Sequence, residues 1–281
     1  MEDYIKRILK VLVYIESHLE DTISVEDLAK VACYSSFHFH RIFQLVVGET
    51  AHHYVKRLRL ERAASRLAHS QQPITQIALE TNYETPSAFT RAFKHFLGES
   101  PKNYRLFHKE IHRMEKKLQN LPIIQPDSID KITDLSVLFI RKSGPYESSS
   151  EDAWTAMRKF IDDQHLNHHG KLRYFSIAHD NPMITSEEKL RFDACIYTPD
   201  PIQPQAEIGR QILKKGRYAV FTHDGPHSDL DPFFDRIVFK WLPASGETFD
   251  ESRVSFCEHF NLEYVDSDPA KLITKIYFPL Q

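Results

Sequence analysis

Cysteine is scarce: three occur in 281 residues, Cys33, Cys195 and Cys257, and no two form a CxxC pair. That fits a reduced, cytoplasmic protein with structural thiols better than a disulfide framework or a zinc site. Histidine is plentiful but badly spaced for a metal. His38 and His40 alternate, and His52-His53 and His168-His169 are adjacent, so none has the i, i+4 step of a helical HExxH pair. Neither a metal nor a cofactor is expected. No apolar run approaches the roughly 18 residues of a membrane span, and ILKVLVYI near the start is interrupted by Lys10 and followed by acidic residues, unlike a signal peptide. No Ser-His-Asp or Cys-His constellation is legible, so no catalytic residue is assigned and the chain reads as a non-enzyme.

Charge is present but unevenly divided. Residues 1–120 hold 18 Lys+Arg against 14 Asp+Glu, and the remainder holds 18 against 25. A mildly basic half suits phosphates, although compositional scatter gives such a balance too. The stretch Thr50 to His69, TAHHYVKRLRLERAASRLAH, contains neither Pro nor Gly. Tyr54, Leu58, Ala64, Leu67 and Ala68 fall at helical spacings, and Lys56, Arg57, Arg59, Arg62 and Arg66 are expected as a polar shell. Twenty helical residues span about 30 Å, close to the ~34 Å between successive major-groove entries on one face of duplex DNA.

The segments flanking that helix are copies of one another. At an offset of fifty, Arg41 falls on Arg91, Phe43 on Phe93, Gly48 on Gly98, Glu49 on Glu99 and Tyr54 on Tyr104. With one residue less, Leu28-Ala29 falls on Ile77-Ala78 and Tyr34 on Tyr83. Each copy reads as a short helix, a tight turn and a longer helix, the pattern of helix-turn-helix. A preceding helix is expected over residues 4–19, with Ile8, Leu12, Ile15 and Leu19 as its packing stripe. The first unit places its support helix at Val25–Val31 and its recognition helix at about Ser36–Val46. Phe39, Ile42, Phe43 and Val46 should face the core, leaving Phe37, His40, Arg41 and Gln44 outward. The second unit presents Ser87, Thr90, Arg91 and Lys94, with Thr85 as cap and Pro86 at the first helical position. Arg pairs with guanine, Gln with adenine, and Ser or Thr with several groups. For a single Arg the plain reading is a solvated charge; two at matched positions of a repeat argue for DNA.

These residues carry a resemblance. From Ile74 through Phe93, Gly98 and Pro101 to Tyr104-Arg105, and in YSSFHFHRIFQ, the chain resembles the DNA-binding domain of AraC/XylS-family transcription regulators over about residues 5–107. The resemblance implies an all-α domain of two helix-turn-helix units joined by one long helix, double-stranded DNA as partner, and RNA polymerase as a second partner. It also implies that Phe37, His40, Arg41 and Arg91 meet bases or phosphates. The DNA-binding domain is taken as 1–108, a linker with Pro122 and Pro126 as 109–131, and a second domain as 132–281.

In that second domain the pattern turns to alternating β-branched and aromatic runs. Strands are expected over 136–140, 172–178, 192–197, 218–223, 254–260 and 273–278, and helices over 154–162 and 230–241. Here too the sequence is duplicated, at an offset of about 81: Gly144-Pro145 falls on Gly225-Pro226 and Phe175 on Phe256, and with one residue less Tyr197 falls on Tyr277. Two strand-helix-strand-strand units would make a pseudo-twofold α+β domain with a groove between its halves. One residue breaks the pattern. Glu258 stands between Phe256 and Phe260 on one strand face, where the first repeat has Ile177 between Phe175 and His179. Either it is a buried ion pair with a nearby Lys or Arg, or a protonated core carboxyl, or the counter-charge for a cationic ligand held by aromatic walls. Candidate walls are Tyr146, Trp154, Tyr174, Phe175, Tyr218, Phe221 and Phe256, each of which also reads as ordinary core.

LRFDACIY, GRYAVFTHDGPHSDL, FKWLPASG and SFCEHF resemble the GyrI-like effector domain over about residues 123–281. That resemblance implies a small-molecule effector, cationic and lipophilic in the multidrug-responsive members, contacted by a Glu at the position of Glu258. The chain departs from the usual motif at Phe260 and His227, where Tyr is usual. Two alternatives stay open. The domain binds a partner protein, or it is a GyrI-like hydrolase with Glu258 as general base.

Overall fold

Helix boundaries in the N-terminal half follow its cap residues. The side-chain oxygens of Ser24, Ser35, Thr50 and Thr85 accept the backbone N–H of Asp27, His38, His53 and Ala88, and each opens a helix. The helices are α1 (Glu2–Ser17), α2 (Val25–Val31), α3 (Ser36–Val47), α4 (Ala51–His69), α5 (Ile74–Glu80) and α6 (Pro86–Leu97). A seventh, α7, opens at residue 101 and is described to residue 108. Gly48 and Gly98 close α3 and α6 at φ of 83° and 82°, the left-handed region that glycine enters without strain.

The computed structural model describes residues 2–108, 123–166, 172–199, 201–205, 207–262, 265 and 267–281. They form two compact units, the first of residues up to 119 with the short stretch 205–207, the second of the remainder. In the first unit the duplication is spatial as well as sequential. Rings of Phe39, Phe43 and Tyr54 succeed one another at 5.5 and 5.8 Å, and those of Phe89, Phe93 and Tyr104 at 5.5 and 5.5 Å. All four phenylalanines are fully buried, where truncation to alanine costs about 3–5 kcal/mol.

Two expectations fail in this unit. Val46 lies on the surface rather than in the core, because α3 packs through a stripe of Phe39, Ile42 and Phe43 alone. The arginines of α4 are not a free outer shell either. Arg57 is buried, with its guanidinium 2.8 Å from Glu49 and 3.2 Å from Glu61. Arg66 joins Glu20 at 2.8 Å and Glu80 at 2.7 Å. A helix packed against α3, α5 and α6 buries several stripes, so its cations become internal ties.

The second unit is one antiparallel sheet of β1 (Ser128–Ile132), β2 (Leu135–Ser143), β3 (Arg173–Ala178), β4 (Arg191–Tyr197), β5 (Ile208–Leu213), β6 (Gly216–Asp224), β7 (Phe256–Phe260) and β8 (Ile273–Leu280). Helix α8 (Tyr146–Asp163) follows β2. Helix α9 (Leu230–Arg236) follows β6 and runs through a π-helical turn, Ile237–Trp241, into α10 (Leu242–Ser245). The strand order is β1-β6-β8-β7-β3-β4-β2-β5. Exchanging each strand for its counterpart in the other repeat reverses this order, so a pseudo-twofold axis passes between β3 and β7. Gly144 and Gly225 hold matched positions, both at φ 136°, and donate 2.9 Å hydrogen bonds to the carbonyls of Leu190 and Leu272. No L side chain tolerates that backbone readily, so the Gly-Pro pair is fixed twice.

Two strands escaped the sequence reading. β1 begins inside the stretch expected as linker and ends one residue past it, and β5 was not assigned. Each sits at a sheet edge and pairs with a strand of the opposite repeat, β1 with β6 and β5 with β2. Edge strands carry polar residues, as SIDKI does, and so lack the alternation that marks a half-buried strand. Residues 109–122 of the expected linker, with its charged helical tail, and His168-His169 lie outside the described residues. Both helices pack on one face of the sheet, α8 on Leu138, Ile140, Ala194 and Ile196, and α9 with its continuation on Ala219, Phe221, Ile276 and Phe278. Among the described residues no helix is long and apolar enough to cross a membrane.

Candidate functional site

In the first unit, Phe37, His40, Arg41 and Gln44 all lie exposed along α3, Phe37 at 75%. Ser87, Arg91 and Lys94 are likewise exposed on α6. Thr90 is half-buried and its hydroxyl donates to the Pro86 carbonyl at 2.8 Å, so α6 offers one polar group fewer than the spacing predicts. Arg41 and Arg91 stand without an ion pair among the described residues, whereas Arg57, Arg59 and Arg66 are all engaged internally. Free arginines at matched positions of two recognition helices can meet phosphate or guanine; tied ones cannot.

In the second unit, register decides which side chains meet. Phe175 lies opposite Glu258, and Glu258 opposite Lys275, so β3, β7 and β8 present these residues on one face. It is the face without helices, because the intervening Ser176, Cys257 and Ile276 point toward α8 and α9. Glu258 is 4% exposed. Arg173 donates to its Oε1 at 2.7 Å and the Tyr277 hydroxyl to its Oε2 at 3.0 Å. Rings crowd the carboxylate. Phe256 stacks on Tyr277 at 4.6 Å, Phe175 and Tyr218 approach Phe256 at 6.0 and 5.5 Å, and the Arg173 guanidinium lies 5.0 Å from the Phe175 ring. Burial, and then the adjacent carboxylate, pushes the Tyr277 hydroxyl well above the ordinary phenol range, so it stays a donor. The hydrogen bond that Arg173 donates to Glu258 likewise raises the Arg173 pKa. Arg173 itself is 46% exposed along its side chain, a cation reaching in from the rim.

A second buried carboxylate occupies the same face nearer β2. Asp193 is fully buried, with Arg141 at 2.7 Å, His179 at 2.7 Å and the Gln211 amide at 2.9 Å. Burial opposes its ionisation, but the Arg141 and His179 charges and hydrogen bonds outweigh it and hold the acid far below the usual range. With both oxygens satisfied, this network is internal structure. On the helix face, His259 lies 2.8 Å from the Ser176 hydroxyl and 3.4 Å from that of Thr274. Burial, with His227 beside it, lowers the His259 pKa to about 3, so the ring is neutral at physiological pH. The Ser176–His259–Thr274 cluster was not read from the sequence, since its members are some 15 to 98 residues apart and meet only through the β3–β7–β8 pairing. Among the described residues no group of three or more His, Cys, Asp or Glu is placed to hold a metal ion.

Residues 128–281 match the GyrI-like small molecule binding domain and residues 28–106 a helix-turn-helix domain. The Right origin-binding protein of Escherichia coli strain K12 is 35% identical over 258 residues, 84% of each chain. The chain belongs to the AraC-type regulators that carry a GyrI-like domain. Among other relatives, the uncharacterized HTH-type transcriptional regulator YbfP of Bacillus subtilis strain 168 is 42% identical over 122 residues, 41% of each protein. The chain thus spans less than half of that relative. A cryo-EM structure of an EcmrR–DNA complex in EcmrR-RPo aligns over 92% of this chain and 98% of that one at 14% identity, with a TM-score of 0.46.

The GyrI-like domain does not bring all eight expected ligand residues together. Glu258, Phe175, Phe256 and Tyr218 share the helix-free face. Trp154, Tyr174, Phe221 and Tyr146 do not. Trp154, on α8 itself, and Tyr174 pack between that helix and the sheet and Phe221 packs under Trp241, while the Tyr146 hydroxyl donates to the Asp180 carbonyl at 2.6 Å. A sheet has two faces, and aromatic content alone does not say which one a ring occupies. Arg173 and Tyr277, the two partners of Glu258, were missed for a related reason. Alternation places Arg173 on the face of Phe175, but only the β3–β7 pairing carries it to Glu258.

Proposed function

We propose that this regulator contacts DNA through both recognition helices and that its GyrI-like domain senses a lipophilic cation at Glu258. Phe37, His40, Arg41 and Gln44 of α3, with Ser87, Arg91 and Lys94 of α6, form the DNA-reading set; the Thr90 hydroxyl is held by its own helix. Residues 1–108 constitute the DNA-binding domain and residues 128–281 the sensor. RNA polymerase is the partner through which occupancy changes transcription.

The observation that carries the sensor reading is a buried carboxylate ringed by Phe175, Phe256, Tyr218 and Tyr277, whose cation, Arg173, enters from the solvent edge. Aromatic faces and one carboxylate are what a delocalised cation requires once its water is removed. An entering cation replaces the Arg173 guanidinium, which swings into solvent at small cost because half of it is already there. Coupling to DNA needs the ligand to bind two states of the protein unequally.

The test is binding to the protein's own upstream DNA with and without a panel of lipophilic cations, in the natural protein and in Glu258→Gln. A ligand effect that disappears in the variant supports the reading. Tight DNA binding indifferent to every cation would leave a DNA-binding protein whose Glu258–Arg173 pair is structural.

A further inference from the structure

Each helix-turn-helix unit turns on one left-handed residue, Cys33 at φ 55° in the first and Asn82 at φ 58° in the second. These are matched positions of the repeat, and they are used differently. The first turn is held from α1, by the Arg7 guanidinium on the carbonyls of Ala32 and Cys33 at 3.2 and 3.4 Å. The second turn reaches outward. Its Asn82 amide donates to the carbonyls of Glu20 and Asp21 at 2.8 and 2.9 Å, in the segment that leads into the first unit.

That segment is gripped at further points. Arg59 of α4 donates to the carbonyls of Leu19 and Asp21 at 2.9 and 2.6 Å. Arg66 spans from Glu20 to Glu80 on α5. Beside the strap lies a cavity of about 260 Å³, bordered by Leu28, Ala51 and Val55 on one side and Thr81 and Tyr83 on the other. At this level the two units are joined across the opening by the polar strap rather than by close apolar packing.

We propose that Asn82 is a positioning residue that fixes the separation and phase of the two recognition helices, and so the half-site spacing that the protein accepts on DNA. This rests on the reading that both helices contact DNA. Asparagine serves both needs of the position. It tolerates the left-handed backbone, as glycine does, and it supplies two donors that glycine lacks. One base pair of extra spacing moves a half-site by about 3.4 Å along the duplex and turns it by a tenth of a helical turn. A strapped pair of helices cannot follow that shift, and a loosened pair follows it in part.

The experiment uses the full chain. Footprinting on the upstream DNA locates the site, and affinities are then measured for that site and for versions with one base pair added or removed between half-sites. The natural protein should prefer the original spacing, and Asn82→Gly should shrink that preference about fivefold, the loss of roughly one net hydrogen bond. Glycine keeps the turn unstrained, and Asn82→Asp, which puts an acceptor against two carbonyls, should shrink the preference as well. Cys33→Gly makes the same backbone change without touching the strap and should leave the preference intact. If both Asn82 variants discriminate spacings as the natural protein does, or if Cys33→Gly relaxes the preference equally, the proposal is overturned. A natural protein that protects one groove segment only, or ignores spacing, would instead overturn the two-helix reading and this inference with it.

Discussion

Replacing Arg173 with alanine should weaken the fold and strengthen cation binding in the same molecule. The pair it breaks is lopsided, since Glu258 is 5% exposed along its side chain and Arg173 46%. Breaking a fully buried pair costs about 3–5 kcal/mol, and water around the outer half of Arg173 screens part of that, so a loss of about 1–3 kcal/mol is expected. For the sensor domain that lowers the melting temperature by about 2–12 °C. The ligand sees the reverse. A cation entering the natural site must displace a charge-assisted hydrogen bond, and in Arg173→Ala it meets an open carboxylate. If the displaced interaction is worth about 1–2 kcal/mol net, affinity rises about 5- to 30-fold. Calorimetric titration with tetraphenylphosphonium, in the natural protein, Arg173→Ala and Glu258→Gln, reads this directly. Tighter binding in Arg173→Ala and loss of binding in Glu258→Gln is the expected pair of results. Should Arg173→Ala bind no tighter, or Glu258→Gln bind as well as the natural protein, the carboxylate is not the cation's partner.

Three other outcomes follow from the same geometry. Arg41→Ala should lower affinity for the specific site by about 1–3 kcal/mol with the melting temperature unchanged; equal affinity and sequence preference would remove Arg41 from the interface. Arg57→Met should do the opposite, unfolding the first unit about 3–5 kcal/mol more easily because Glu49 and Glu61 lose their buried partner, and a normal denaturation midpoint would refute its internal role. Asp193 and Asp180, both depressed by arginine partners against the opposing effect of burial, contribute stability that is full above the unfolded carboxylate value of about 3.9 and is lost as pH falls through the lower folded values. Denaturation of the C-terminal domain followed from pH 7 to 3 should therefore show falling stability below about pH 5. Asp193→Asn should start lower at pH 7 and fall less steeply, and a parallel decline in the two proteins would assign the acid sensitivity elsewhere.

Legibility in the sequence tracks what each residue's neighbours in the chain constrain. The helix-turn-helix pair was readable because its signals are local: caps at Thr50 and Thr85, glycines repeated at 48 and 98, and a phenylalanine of each unit repeated at a fixed offset. Its exposed faces were readable for the same reason. The role of α4 was not, because whether Arg57 and Arg66 face water depends on acids at Glu49, Glu80 and Glu20 that other elements bring up. In the sheet, alternation told which residues share a face of one strand, and duplication told that there are two equivalent halves. Neither told which strands are neighbours. Hence Glu258 was marked as out of place, while its partners Arg173 and Tyr277 were not found, and four of the seven aromatics expected as its wall lie off its face.

The duplication also bears on why a single carboxylate occupies the centre. The pseudo-twofold axis passes between β3 and β7, so a charge placed on one strand next to the axis would recur on the other if the repeats were identical. They are not: Ile177 stands where the second repeat has Glu258, and His179 where it has Phe260. A second carboxylate at position 177 would stand diagonal to Glu258 across the axis and directly opposite the buried Asp193, and like charges so placed repel. One carboxylate beside a phenylalanine from each repeat, Phe175 and Phe256, leaves a single net charge with an aromatic face on either side. Arg173 neutralises it from the rim in the absence of a ligand. Restoring the symmetry with Ile177→Glu should therefore unfold the domain about 3–5 kcal/mol more easily at pH 7, because the new charge is buried against Asp193 without a partner of its own. Denaturation of Ile177→Gln, which adds a polar group of the same size without the charge, separates repulsion from lost packing. Equal stability of the two variants would show that the acids do not meet as the register of β3, β4 and β7 places them.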